Sequence, residues 1–292
     1  MNTERNYIYH LLAIVIVAIW GLTFISTKKL IADGLTPQEI FLLRFLIAYI
    51  GIWLVSPKKL FADSWADELW MLALGVTGGS MYFLTENTAL GITLATNVSF
   101  IVCTTPLITA LLSLLFYKNE KAGRGLIVGS LTALVGMGLV VYNGSFVLKI
   151  SPLGDFLSLL ASLSWAFYSL IMKRVGERYS TVFITRKVFF YGLLTILPAF
   201  IVHPWQFPLT AFADVSVWGN LLFLGVVASL LCFGGWNLVM KRLGMLRSSN
   251  YIYLNPLFTL VGAVIFLDER LTWMALLGSV LLLGGVYLAE KK

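Results

Sequence analysis

The sequence predicts an all-α integral membrane protein with ten transmembrane helices, arranged as two inverted five-helix repeats. Three observations predict this. Of the 292 residues, 59% are hydrophobic and only 12% charged, with a mean hydropathy of +0.89. A soluble domain is about 45–50% apolar and about 25% charged, so this excess needs a bilayer as solvent. The apolar residues fall into ten runs, each near the roughly 20 residues that a span requires. The second half of the chain also repeats residue types of the first half in the same order.

The ten runs are bounded by charges, Gly and Pro. Span 1 (8–30) ends at Lys28-Lys29, and span 2 (38–55) starts after Pro37 and stops before Pro57-Lys58-Lys59. Span 3 (69–89) follows Asp67-Glu68, and span 4 (94–117) ends at Lys118. Span 5 (124–142) begins at Arg124, and span 6 (153–173) runs from Pro152 to Lys173-Arg174. Span 7 (181–202) meets His203-Pro204, where the longest loop begins. Span 8 (216–239) ends before Lys241-Arg242, span 9 (246–267) before Asp268-Glu269-Arg270, and span 10 (272–289) before Glu290-Lys291-Lys292. The first run is too long for a signal-peptide core and no A-x-A-like site follows it, so it reads as a retained helix.

Lys and Arg set the orientation. With the N-terminus in the cytoplasm, 16 of the 21 basic residues fall on inner segments and 5 on outer ones: Lys28, Lys29, Arg44, Lys149 and Arg270. Both termini are therefore expected in the cytoplasm. The same clustering accounts for the net charge of +7 as loop topology rather than a nucleic-acid surface.

The repeat is read from matched positions. Gly75, Asn87, Pro106 and Phe116 match Gly225, Asn237, Pro256 and Phe266 at an offset of 150. Glu120, Gly129 and Gly136 match Glu269, Gly278 and Gly285 at 149. Trp20 and Lys28 lie over Trp165 and Lys173, and Phe41 and Arg44 over Phe183 and Arg186. The halves are 9–142 and 153–289. Five spans is an odd number, so the second copy enters the membrane from the opposite side. Inverted repeats recur in secondary carriers, with the substrate site near the midplane between the copies.

These residues carry a resemblance. Trp20-Gly21, Phe24, Lys28, Leu43-Arg44-Phe45, a proline in span 4, Glu120 and a Gly-rich span 5 resemble the EamA family of the drug/metabolite transporter superfamily. Trp165, Lys173, Arg186, Pro256, Glu269 and Gly278 repeat the pattern, with Ala166 where the first half has Gly21. The resemblance implies a ten-helix carrier of the bacterial cytoplasmic membrane that moves metabolites or amino acids, usually outward. It implies a small-molecule substrate and the lipid bilayer as partners, no cofactor, and a monomer as working unit.

Candidate cavity residues are polar or aromatic groups within the spans. Glu86, in Leu84-Thr-Glu-Asn-Thr88, is an ionisable group in a span, so it is either a proton or cation site or a surface carboxylate among headgroups. Asn87 and Asn237 are either interhelical glue or substrate contacts. Trp20, Trp165, Tyr82, Tyr168 and Trp236 are either cavity wall or lipid-facing packing. Arg44, Arg186, Lys28 and Lys173 are expected to snorkel to headgroups, with a gate charge or a substrate carboxylate as the alternative. Asp155 is expected as a dipole-favoured residue opening a helix. Pro106 and Pro256 fall mid-span, predicting paired kinks or hinges, with Thr105 and Asn255 placed to bond the freed carbonyls. Gly125, Gly129 and Gly136, and likewise Gly278 and Gly285, share helix faces and predict close helix packing.

Other chemistries lack their residues. Cys103 and Cys232 lie in apolar runs and are expected to pack. No G-x-x-x-x-G-K-[ST] and no H-E-x-x-H is present, and His10 and His203 are far apart. No T-V-G-Y-G filter appears. The competing readings are an intramembrane enzyme, for which the polar residues are too sparse, and a receptor-like membrane protein, which has no use for the inverted repeat.

Overall fold

A computed structural model describes residues 3–56, 59–93, 95–117, 123–142, 151–267 and 272–290. These residues are almost wholly helical. Helix α1 (Thr3–Ala32) ends in a turn where Gly34 has φ +103 and the Leu35 amide reaches back to the Leu30 carbonyl at 3.0 Å. That hand of backbone favours glycine, which closes the helix cheaply. Helix α2 (Pro37–Trp53) begins with Pro37 and with Glu39 accepting from the Thr36 amide at 2.8 Å. Helix α3 (Trp65–Gly75) is capped by Ser64, which accepts from the Asp67 amide. It runs through a π-helical segment, Val76–Ser80, into α4 (Met81–Ile92). Then come α5 (Ala95–Val102), α6 (Thr105–Phe116) and α7 (Arg124–Tyr142).

The second half follows the same plan. It comprises α8 (Pro152–Val175), α9 (Thr181–Ile196) and the short α10 (Ala199–Val202). Helix α11 (Val215–Leu222) then runs through a π-helical segment, Phe223–Leu231, into α12 (Cys232–Leu243). Helix α13 (Met245–Asn250), a 3-10 turn (Tyr251–Leu254), α14 (Asn255–Leu267) and α15 (Trp273–Glu290) complete it. Each half therefore carries a π-helical segment in its third span and a break in its fourth.

Five stretches among the described residues are long and apolar enough to cross a membrane: Tyr7–Ala32, Val98–Phe116, Pro152–Val175, Thr181–Val202 and Val215–Leu243. Arg124–Leu139 and Leu276–Ala289 are shorter apolar helices.

Packing between the halves is reciprocal. Helix α2 lies on the π-helical segment before α12, and α9 on the one before α4. Helix α1 packs on α12 and α14, while α8 packs on α4 and α6. Glycine permits these approaches. A Cβ on Gly75 would stand 2.4 Å from the Tyr191 Cβ, and one on Gly225 2.8 Å from the Ile47 Cβ. The expected glycine seam also forms: Cβ atoms on Gly129, Gly136 and Gly285 would meet backbone nitrogens of Ala289, Leu282 and Ala133 at 2.3, 2.4 and 2.3 Å. Helices α7 and α15 thus touch backbone to backbone, away from the centre.

The prolines sit differently from the expectation of mid-helix kinks. The spans are interrupted ahead of them, and each proline stands in the first turn of the following helix, α6 or α14. A first-turn proline has no intrahelical donor to lose. Of the two polar residues expected to bond the freed carbonyls, Thr105 does so and Asn255 does not. Thr105 Oγ1 donates to the Val102 carbonyl at 2.6 Å, four residues before Pro106. The matching Ile252 carbonyl accepts from the Cys103 thiol at 3.3 Å, so Cys103 bridges the two breaks instead of merely packing.

Candidate functional site

The two breaks meet α1, α2, α4, α8 and α12 around a central cavity. Its wall is aromatic. Trp20 of α1 and Trp165 of α8 meet edge to face with centroids 5.4 Å apart. Tyr82 lies 5.0 Å from Trp165, and Phe233 lies 5.5 Å from it. Trp20 Nε1 donates to the Ala228 carbonyl at 3.1 Å, which fixes the indole.

Two charged side chains enter this apolar space. Tyr82, Phe83 and Glu86 share one face of α4, as residues one turn apart do. Glu86 is 6% exposed and accepts from the Tyr82 hydroxyl at 2.8 Å. Arg44, from the middle of α2, is 2% exposed. Its Nε donates to Ser229 Oγ at 3.0 Å and its guanidinium lies 4.2 Å over the Phe83 ring. Among the described residues no carboxylate lies within ion-pair distance of Arg44. Thr23, Thr105 and Asn255 supply further polar lining, and the Asn255 Oδ1 has no partner. Aromatic faces beside a carboxylate suit an organic cation, and a guanidinium suits a carboxylate. No cluster of groups able to hold a metal occurs among the described residues.

The model of the EamA-like transporter family matches residues 7–142 and 152–290, each half separately. The chain belongs to the EamA-like transporter family. It is a multi-pass membrane transporter and not an enzyme. An uncharacterized transporter of Archaeoglobus fulgidus is 27% identical over 97% of both chains. An Escherichia coli protein named "Probable amino-acid metabolite efflux pump" is 24% identical, covering 95% of this chain and 93% of its own length. A solved crystal structure superposes with a TM-score of 0.73 at 19% identity, over 99% of this chain and 97% of that one, so the fold is shared.

Within this EamA-like fold, four of the eight residues expected at the cavity line it: Trp20, Tyr82, Glu86 and Trp165. Glu86 is buried and is not a surface carboxylate. The other four lie behind the wall. Tyr168 donates to Asn237, whose amide donates to Thr185 Oγ1 at 2.8 Å, so both are interhelical glue. Trp236 is fully buried 5.0 Å from Trp20. Asn87 donates to the Pro37 carbonyl at 3.3 Å, tying α4 to the start of α2.

The snorkelling expectation fails for both arginines. Arg44 is in the cavity. Arg186 is 3% exposed, donates to the Ser56 carbonyl and lies 5.2 Å over Trp53. Each guanidinium spreads its charge over an aromatic face, which a protein interior tolerates better than a bare ammonium. Lys28 is exposed as expected, and Lys173 lies 4.2 Å over the Tyr117 ring.

Sequence reasoning missed Phe83, Phe233, Val102, Ile252 and the lining roles of Thr105 and Asn255. The signal was available. Phe83 and Phe233, Val102 and Ile252, and Thr105 and Asn255 are all related by the offset of 150, so part of the lining of this EamA-like cavity is built from repeat-related pairs. The charges break that symmetry: the counterpart of Glu86 is Trp236, and Arg186 lies elsewhere.

Proposed function

We propose that this EamA-like protein is a secondary carrier that exports a small zwitterionic metabolite, such as an amino acid, by alternating access. One observation carries the reading: Arg44 and Glu86 line one aromatic cavity without pairing. Burying two opposite unpaired charges is costly. A ligand carrying both an ammonium and a carboxylate offsets that cost. Glu86 and the faces of Trp20, Tyr82 and Trp165 receive the ammonium. Arg44 receives the carboxylate. The name of the Escherichia coli relative supports the same substrate class.

The reciprocal packing of the halves supports an inverted arrangement of two five-helix units, 9–142 and 153–289, spanning the membrane ten times. Such units can exchange conformations and open the cavity to each side in turn. Pro106 and Pro256, at the paired breaks, are the hinges. The charge bias of the loops supports cytoplasmic termini in a bacterial cytoplasmic membrane, and the cavity lies within one chain, which supports a working monomer. Glu86 is the coupling group: it takes a proton when the cavity faces one side and releases it towards the other.

The test is flux of radiolabelled amino acids from proteoliposomes over a pH series, wild type beside Glu86→Gln. Loss of pH-dependent flux in the variant is expected. Identical flux and identical pH dependence would remove Glu86 from the mechanism.

A further inference from the structure

The two faces of the protein join the halves by different chemistry. At the face where α3 begins, two neighbouring acids of the first half reach the second. Glu68 accepts from the Lys187 ammonium and the Tyr191 hydroxyl, both on α9, and from the Ala62 amide at 2.6 Å. The Glu68 and Lys187 side chains are only 9% and 4% exposed. Asp67 accepts from the Arg178 guanidinium and, at 2.9 Å, from the Tyr179 hydroxyl, in the turn between α8 and α9. Burial alone would raise the Asp67 pKa, but Tyr179, Ser64 and Arg178 outweigh it and hold the carboxyl below its usual range. Asp67 therefore stays ionised at neutral pH.

The opposite face is joined differently. There Ser26 bonds Asn220 at 2.5 Å, and Glu39 accepts from the amides of Gln206 and Phe207 at 2.6 and 3.0 Å. The rest is an apolar cluster that includes Leu30, Ile40, Val217 and Leu221. Among the described residues no ion pair joins the halves at that face. At the offset of 150, Asp67 and Glu68 correspond to Val217 and Trp218. Equivalent positions thus hold acids on one face and apolar groups on the other.

Two alike halves exchanging conformations would favour neither face. Ion pairs that, among the described residues, join the halves on one face only remove that balance. Separating α3 from α9 breaks a buried pair, and a buried charge that loses its partner is strongly disfavoured. Separating α11 from α2 breaks no ion pair among the described residues. We propose that Glu68–Lys187, reinforced by Asp67–Arg178, is a latch that holds the cavity closed towards the α3 face, and that its release gates access from that side. The latch rests on the alternating-access reading, and under the proposed topology its face is the cytoplasmic one.

The experiment reads cavity exposure from each side. Thr23→Cys places a thiol on the cavity wall, and a membrane-impermeant maleimide is applied to right-side-out and inside-out vesicles holding the full chain. Glu68→Gln and Lys187→Gln should each raise the labelling rate from the α3 face by about a hundredfold or more, because a buried charge that loses its partner strongly disfavours the closed state. The double variant should add little to either single change, because both remove one interaction. Arg178, whose side chain is 55% exposed, gives a milder variant in Arg178→Gln that keeps the buried pair intact and folding safe, with a smaller rise in the same direction. Unchanged labelling from the α3 face in all these variants, with the parent Thr23→Cys chain still labelled from both sides, overturns the latch and leaves alternating access standing. Labelling from one side only in every chain, with and without amino acid, overturns alternating access and the latch with it.

Discussion

Arg44 and Glu86 face the same cavity from α2 and α4, yet each takes its direct contact from a different neighbour. Arg44 bonds Ser229 and stacks on Phe83, and Glu86 accepts from Tyr82. Both partners are neutral, and among the described residues neither side chain is paired with the other. An internal salt bridge would have closed the cavity to a zwitterion.

Under the proposed function Arg44 is the carboxylate anchor. Arg44→Gln should raise the KM for amino-acid flux by about 10- to 100-fold, the scale of one lost hydrogen bond to a charge. Asn87→Ala, behind the wall, should leave KM within about twofold, because Asn87 bonds only backbone. Kinetics of the two variants in proteoliposomes decide the matter. Equal KM values would deny Arg44 its role.

The glycine seam between α7 and α15 supplies a prediction about stability. Gly129→Ala and Gly285→Ala put a methyl group 2.3 Å from the backbone of the facing helix. Overpacking of that kind costs about 1–3 kcal/mol. Gly284→Ala meets nothing within 4 Å and should be neutral or slightly stabilising. Thermal unfolding in detergent should rank Gly284→Ala above both seam variants, and a reversed order would mean that α7 and α15 are not in backbone contact.

At the breaks, Pro106→Ala and Pro256→Ala should slow transport while leaving the yield of folded protein nearly unchanged. Alanine restores an amide donor and allows the helix to run back through the break, which stiffens it. Wild-type flux in both variants would show that the breaks are set by Thr105 and Cys103 alone.

Topology can be checked with fused reporters. Reporters after Asn119 and Lys292 should read cytoplasmic, and one after Gly144 should read outside. These three positions lie outside the described residues, so the prediction rests on the charge bias of the loops. The same side for Asn119 and Gly144 would remove a span between them.

Composition and residue order alone establish the helical membrane class and the family. Each is a one-dimensional property: a run of apolar residues, a bias of Lys and Arg, a residue recurring 150 places on. The glycine seam was legible for the same reason, since spacings of four and seven keep Gly125, Gly129 and Gly136 on one face of α7, and a spacing of seven keeps Gly278 and Gly285 on one face of α15, whatever surrounds them. Which polar groups share a cavity depends on how the helices pack. Hydropathy says that a segment is helical and buried in lipid or protein, but not how far the helix is rotated about its axis. Glu86 and Asn87 are adjacent in sequence and about 100° apart around α4, so one enters the cavity and the other ties α4 to Pro37. Arg44 and Lys28 looked alike as charges near span ends, and packing separated them: α2 turns Arg44 inward onto Phe83 and Ser229, while Lys28 stays exposed at the end of α1. Asp67 and Glu68 read as a loop boundary until the fold brought α9, more than a hundred residues away in sequence, against them.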